Sequence, residues 1–363
     1  MQGAIPPSGV SSGPLFGPLS SRAAELGGAA AADRLDSVLR RRFPEIRGAI
    51  AIARTAGGMS NPTFFLEAGD WSVVLRKQPG SALVKSAHAI DREFRVMSAL
   101  HGSAVPVPRP ILYHAEADVL DTPFYLMERL AGRVFDAYAL PGLAPEERGA
   151  CFRSMAGVMA AMHRFDWRSA GLSDYGRPGN YFARQLKRWS ELWGQYRDGG
   201  NPDVDRLMDW LSARIPDSEA LTLCHGDFRI ANLMFHPTEP RVVGVLDWEL
   251  STLGHPLVDV GFNTQAWLLA PDENGGLRGL DLAALGIPSE EAYLEEYYRA
   301  CGLPERLTTF HKAFAMFRAA VGSAGIAARG RRGNAVNDGA AEVGSRLSLA
   351  YARCGVALIE PDA

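Results

Sequence analysis

One stretch constrains this chain more than any other: His225-Gly226-Asp227-Phe228-Arg229-Ile230-Ala231-Asn232, followed by Val245-Leu246-Asp247-Trp248-Glu249. Between them, two short strand-like runs, 233–236 and 241–244, flank the proline-bracketed turn Pro237-Thr238-Glu239-Pro240. That pattern reads as a β-hairpin. A symmetric hairpin centred between Glu239 and Pro240 sets Asn232 opposite Asp247, with Cα atoms about 5 Å apart. An amide oxygen and a carboxylate at that spacing are hard donors suited to Mg²⁺. Asp227 lies on the loop just upstream. A metal clamp with one further carboxylate at the mouth of a hairpin is an arrangement suited to phosphoryl transfer. A lone His-Gly-Asp usually marks a turn, and an Asp at a strand end usually caps or turns the chain. It is the conjunction of Asp227, Asn232 and Asp247 around one hairpin that points to chemistry.

A chain of 363 residues suits two lobes better than one core. Its hydrophobic fraction of 47% and charged fraction of 22% are those of an ordinary globular protein. The net charge of −3 gives no argument for nucleic acid or membrane surfaces as partners, and it leaves the oligomeric state open. Cys151, Cys224, Cys301 and Cys354 are scattered, which argues against a zinc site or a disulfide framework and fits a reducing, cytoplasmic setting. No run has the length of a membrane span. Residues 1–31, rich in Gly, Ala, Ser and Pro, read as a disordered leader.

A first helix is expected over 32–42. Strands follow at 63–67 and 71–77, joined by the tight turn Ala68-Gly69-Asp70, then a helix at 90–101 and a strand at 124–130. The proline-rich segment 106–110 reads as an extended connector. Beyond Pro145 the pattern turns helical, over 146–163, 181–196, 204–214, 290–301, 310–326 and 340–353. A nucleotide-binding lobe over 32–131 therefore precedes a helical catalytic and substrate lobe over 132–363. The hairpin is the one sheet-like island expected in the second.

In the first lobe, Ile90, Glu93, Phe94, Met97 and Leu100 share a helix face. Glu93 is thus a carboxylate inside an apolar stripe, costly unless a cation meets it. The preceding strand offers Arg76 and Lys77 on opposite faces. Arg76 shares its face with Val74, which could touch a flat ring, so Arg76 is expected to pair with Glu93 and contact nucleotide phosphates. The turn Gly57-Gly58-Met59-Ser60-Asn61 is short and polar enough to approach an anion, through Ser60 and Asn61 among others.

These features together resemble the aminoglycoside phosphotransferase-like small-molecule kinases, a group that includes the choline kinase type. The motifs are H-G-D-x-x-x-x-N and L-D-W-E, with N-P-T-F, V-V-L-R-K-Q-P-G, R-E-F-R-V, F-Y-L-M-E, R-Q-L-K-R-W and V-L-D-W-E-L-S-T-L-G-H-P-L-V-D. They look most like the branch found beside acyl-CoA dehydrogenases. The resemblance implies an α+β, protein-kinase-like bilobal fold, with a β-rich N-lobe, a mostly helical C-lobe, and ATP and Mg²⁺ as cofactors. It implies Asp227 as the base that orients the acceptor hydroxyl, with Asn232 and Asp247 holding Mg²⁺. It also implies an adenine hinge formed by the backbone of Glu128 and Leu130, with Met127 behind the ring. Asp259 becomes a brace for the loop, and His225 and His163 become packing residues. Arg stands where protein kinases carry Lys on the phosphate strand, and Trp248-Glu249 replaces Phe-Gly. With no Ala-Pro-Glu segment, protein substrates are not expected.

Arg229, two residues past Asp227, could neutralise the transferring phosphoryl group. The expected acceptor is a small hydroxylated molecule. Arg318, Arg329, Arg331 and Arg332, with Arg184, Lys187 and Arg188, favour an anionic hydroxy acid or hydroxyacyl-CoA over a polycationic antibiotic, although Glu290, Glu291, Glu295 and Glu296 pull the other way. The alternatives are an aminoglycoside-type kinase, a metal-dependent hydrolase using His225, Asp227 and Asp247, and a nucleotide-binding pseudokinase.

Overall fold

A computed structural model describes residues 16–55, 61–80, 90–177, 179–196, 200–218, 220–331 and 339–360. Two compact units emerge, one of residues 1–95 and 109–129, the other of 96–108 and 130–363. The division is less simple than a single break near Gly132, because 96–108 goes with the second unit.

The first unit is built on a six-stranded antiparallel sheet of β1 (Gly17–Pro18), β2 (Ala51–Arg54), β3 (Thr63–Ala68), β4 (Trp71–Lys77), β5 (Pro110–His114) and β6 (Phe124–Glu128), in the order β1-β2-β3-β4-β6-β5. Helices α1 (Ala23–Leu26) and α2 (Ala29–Arg42) belong to the same unit, and α3 (Ile90–Leu100) begins in it. Alternation on β4 decides which side chains meet. Val73 and Leu75 join a core with Leu26, Leu35, Phe64 and Leu120, while Val74 and Arg76 take the other face. Residues 16–31, expected to be leader, are instead structured, with Leu19 and Leu26 buried in that core. Strands β2 and β5 had no expectation, and β6 stops two residues short of the expected strand because Arg129 and Leu130 leave the ladder.

The second unit contains α4 (Pro145–His163), α5 (Tyr181–Tyr196), α6 (Pro202–Ser212), α7 (Leu257–Asn263), α8 (Gln265–Leu268), α9 (Leu282–Leu285), α10 (Glu290–Cys301), α11 (Thr309–Arg331) and α12 (Ala340–Ile359). Its core gathers Phe182, Leu207, Phe314, Phe317 and Val321. The expected stripe of α11 is therefore interior, as its spacing required. Two ribbons lie among these helices. β8 (Leu233–Phe235) pairs with β9 (Val242–Val245), and β7 (Thr222–Cys224) pairs with β10 (Thr252–Gly254). The second ribbon corrects the expectation of a single sheet-like island. It clamps both ends of the segment that carries the motif residues, since Cys224 precedes His225 and Thr252 follows Glu249 closely.

Candidate active site

In the second unit the chain leaves β7 into the loop 225–229. Gly226 adopts φ +82°, and a Cβ there would stand 2.5 Å from the Leu250 carbonyl oxygen. Only glycine fits such a left-handed, crowded position. Asp259 on α7 is fully buried and accepts the N–H of His225 (2.7 Å) and of Gly226 (2.8 Å). Burial alone would raise the Asp259 carboxyl, but the His163 ring, 3.4 Å away, with His225 and the Gly226 N–H, holds it below its ordinary value. Asp259 is a charged brace beneath the loop, and His163 in turn meets the Tyr297 hydroxyl at 2.7 Å.

His225 uses both ring nitrogens locally. Its Nδ1 accepts the Asp227 N–H (3.2 Å), so Nε2 carries the proton and donates it to the Leu246 carbonyl (2.9 Å). No lone pair is left for a metal or for base catalysis. Its ring packs on Trp248, whose Nε1 donates to the Val245 carbonyl. Trp248 thereby closes the end of the hairpin. Cys224, also buried, has its thiol pushed well up by burial and its Sγ directed at the His255 carbonyl.

The hairpin register differs from a symmetric one. Leu233 pairs with Val245 and Met234 with Gly244, but Phe235 pairs with Val242. The His236 N–H bonds to the Arg241 carbonyl, so the turn centres one residue earlier than expected, and Val243 forms a bulge that recovers part of the offset. Asn232 consequently faces Leu246, whose N–H it accepts at 2.8 Å, and Asp247 lies one position further. Asp247 is left-handed, at φ 64° and ψ 63°, which breaks the strand's alternation where a one-residue slip would otherwise flip its side chain. Asp is among the few residues that tolerate this region.

Asn232 turns its donor end to Asp227, its Nδ2 reaching the Asp227 carbonyl (2.9 Å) and Oδ2 (2.8 Å). The amide oxygen is the end left for a cation. That oxygen and the Asp247 carboxylate are hard donors, the kind of atom that suits Mg²⁺. Arg229 Nε lies 3.4 Å from Asp227 Oδ2. Burial, the largest influence, opposes the charge on Arg229, but Asp227, Tyr138, Tyr351 and Asp247 together outweigh it and hold the guanidinium above its ordinary value.

Arg318, expected among the cations of an acceptor wall, is instead packed under the loop. It is buried, and its Nη2 donates to the Gly226 carbonyl while its guanidinium lies over the rings of Phe262 and Trp189. It supports the loop and does not line an acceptor wall. Four residues after Phe314 and three before Val321, it sits on the apolar face of α11, and a lone arginine in such a stripe was the available signal.

In the first unit, Glu93 is 1% exposed and draws three groups together. Arg76 Nε lies 3.2 Å from its Oε2, the Tyr125 hydroxyl donates to Oε2 at 2.9 Å, and Asn61 Nδ2 donates to Oε1 at 2.9 Å. Lys77 takes the opposite face, where Nζ donates to the Leu26 and Leu120 carbonyls, and burial lowers its pKa. Arg76 is thus the partner of Glu93. Asn61 departs from the expectation of a phosphate contact, being fully buried with its amide nitrogen committed to Glu93. Ser60 and the glycines before it lie outside the described residues. Val74 is buried and pairs across the sheet with Met127. Glu128 is held by Arg109, its N–H bonding to the Arg109 carbonyl at 2.9 Å. Leu130 belongs to the second unit and packs where Gly244 leaves room; a Cβ on Gly244 would stand 2.5 Å from its Cδ1.

A sheet unit organised on a buried Arg–Glu pair and a helical unit carrying the Asp227, Asn232 and Asp247 set define a small-molecule phosphotransferase of protein-kinase-like α+β fold. A family model described as "Phosphotransferase enzyme family" matches residues 51–302, and the chain belongs to that family. It is 40% identical over 282 residues to acyl-CoA dehydrogenase family member 10 of Mus musculus, covering 77% of this chain and 26% of that protein. It is 39% identical over 294 residues to acyl-CoA dehydrogenase family member 11 of Gallus gallus, covering 79% of this chain and 38% of that one. The chain therefore spans about a quarter to two fifths of the length of these relatives. A solved Ralstonia eutropha JMP134 protein, described provisionally as an aminoglycoside phosphotransferase, superposes with a TM-score of 0.80 at 41% identity, over 90% of this chain and 97% of the other. Among the described residues, no helix is long and apolar enough to cross a membrane.

Proposed function

We propose that the chain transfers the γ-phosphoryl group of ATP to a hydroxyl of a small anionic molecule, a hydroxy acid or hydroxyacyl-CoA. The observation that carries this reading is the Asn232 amide, whose donor end is bonded to Asp227, which leaves its oxygen as the donor atom for a cation. Asp227 is the base that orients the acceptor hydroxyl. A carboxylate suffices, because the loose transition state of phosphoryl transfer asks for little early proton removal. Asn232 and Asp247 would hold Mg²⁺, which when bound neutralises charge on the nucleotide phosphates.

Arg76, fixed by Glu93, supplies a fork-shaped cation for phosphate, and Asn61 and Tyr125 set the position of Glu93. Val74 and Met127 offer apolar surface to adenine, with the backbone of Glu128 and Leu130 as its hydrogen-bonding edge. Preorganised charge of this kind carries most of the rate in such enzymes. Metal-dependent hydrolysis through His225 is disfavoured, since both its ring nitrogens are committed. The four cysteines, all free, agree with a reducing cytoplasm.

The test is ATP consumption with Mg²⁺ over a panel of hydroxy acids, their CoA thioesters and aminoglycosides, with Asp227→Ala as control. Turnover confined to aminoglycosides would sink the anionic acceptor, and hydrolysis of a substrate without ATP would sink the kinase.

A further inference from the structure

We infer that Arg229 is the seat for an oxyanion of the acceptor, set beside the carboxylate that takes the acceptor hydroxyl. The inference rests on the kinase reading above and names the group that selects its substrate.

The loop divides the Asp227 carboxylate between two tasks. Oδ2 accepts Asn232 Nδ2 and faces Arg229 Nε, while Oδ1 has no partner among the described residues. Oδ1 is the atom available to a substrate hydroxyl. Arg229 is divided in the same way. Its Nε is turned to Asp227, and its two terminal nitrogens make no hydrogen bond among the described residues, although the side chain keeps 35% of its exposure. A guanidinium whose Nε faces a carboxylate still carries its two terminal nitrogens as a pair of donors, the fork that grips a carboxylate or phosphate at two points.

The surroundings keep that fork charged and unspent. The phenols of Tyr138, before α4, and Tyr351, on α12, lie within electrostatic reach of Arg229. Both rings are buried, and burial raises both hydroxyls, Tyr351 to about 12. They remain neutral and exclude water without cancelling the cation. Tyr351 accepts a hydrogen bond from Asn274 at 2.8 Å. Arg229 lies 3.4 Å from the carboxylate that faces the acceptor, and among the groups that raise it Asp247 acts least. That placement assigns its charge to the acceptor and not to the transferring phosphoryl group.

The experiment compares a short hydroxy acid, its neutral amide and its CoA thioester as acceptors with Mg-ATP, in the wild type and in Arg229→Lys and Arg229→Gln, each checked for folding by thermal shift. The wild type should prefer the acid or the thioester to the amide by about tenfold or more in kcat/KM. Arg229→Lys, which keeps the charge but loses the fork, should shrink that preference several-fold through KM. Dependence on Arg229 in the free-acid arm identifies a carboxylate in the seat, and dependence in the thioester arm alone overturns the seat, because the phosphates of a CoA thioester lie a pantetheine arm away from its acyl hydroxyl. A preference that survives in both variants, with kcat reduced equally for all acceptors, overturns the seat in favour of phosphoryl stabilisation. If the wild type phosphorylates only the amide, the seat falls and the kinase stands. If it binds Mg-ATP and phosphorylates nothing, the kinase reading falls and takes the seat with it.

Discussion

Asn232 directs its side-chain nitrogen to both the carbonyl and the carboxylate of Asp227, at 2.9 and 2.8 Å. One side chain thus fixes the rotamer of Asp227 and the direction of its own oxygen. Asn232→Ala should release both, lowering kcat by roughly 10²-fold, the scale of a small misplacement at a reacting group. Asn232→Asp should fare no better, because it sets a second carboxylate against Asp227. Steady-state kinetics across a Mg²⁺ titration check this, and near wild-type kcat in Asn232→Ala refutes it.

The two cations at the end of β4 should separate cleanly. Arg76→Met should weaken ATP binding by roughly 1.5–3 kcal/mol, the value of a hydrogen bond to a charged group. Lys77→Met should leave the nucleotide Kd unchanged, since Lys77 donates to the Leu26 and Leu120 carbonyls on the opposite face. Calorimetric titration with Mg-ATP decides it, and equal losses would contradict the face assignment.

Asp247 holds a left-handed backbone that costs an ordinary side chain about 1–2 kcal/mol. Asp247→Gly and Asp247→Ala should both be inactive, yet the glycine variant should be the more stable by about 1 kcal/mol. Chemical denaturation of the pair gives the comparison, and an alanine variant as stable as the glycine one would argue against strain at this residue.

His311 stands at the third position of α11, where its Nδ1 accepts the N–H of Thr308 at 3.1 Å. Burial, first, and then the neighbouring His255 push its pKa from 6.5 down to about 4, against the pull of Glu305. His255 is lowered too, chiefly by burial. Between pH 6.5 and about 4 the unfolded chain binds a proton that the folded chain refuses, so stability falls as pH falls through that window. The melting temperature should drop on acidification, on the scale of roughly 2–4 °C per kcal/mol. His311→Gln keeps the helix-capping acceptor and should flatten the pH dependence. An unchanged slope in that variant would place the effect elsewhere.

The sequence carried the Arg76–Glu93 pair because both halves obey short periods, two on the strand and 3.6 on the helix. Its spacing put Asp227 and Asn232 on one loop, where they bond to each other. It did not carry the hairpin register, which depends on the Val243 bulge and on a turn centred one residue earlier, and neither leaves a mark in an apolar pattern. Arg318 was misplaced because its target, the Gly226 carbonyl, is 92 residues away. Asn61 was misjudged because a polar turn residue looks the same whether it meets a ligand or a buried carboxylate. The strand and helices of 17–31 were hidden by small residues, which signal a leader as readily as a tightly packed edge.

Asp259 grips two consecutive N–H groups of the loop from the interior, while Arg229 and the free edge of Asp227 look outward. If Arg229 seats the acceptor as proposed, competence and choice are inherited on different residues. On the proposed assignment, a lineage carrying this chain can exchange one acceptor for another by drift at Arg229, while Asp227 and its brace Asp259 keep the machinery that moves the phosphoryl group. Loss of Asp259 offers no such gradual route, because no surface substitution can take its place beneath the loop.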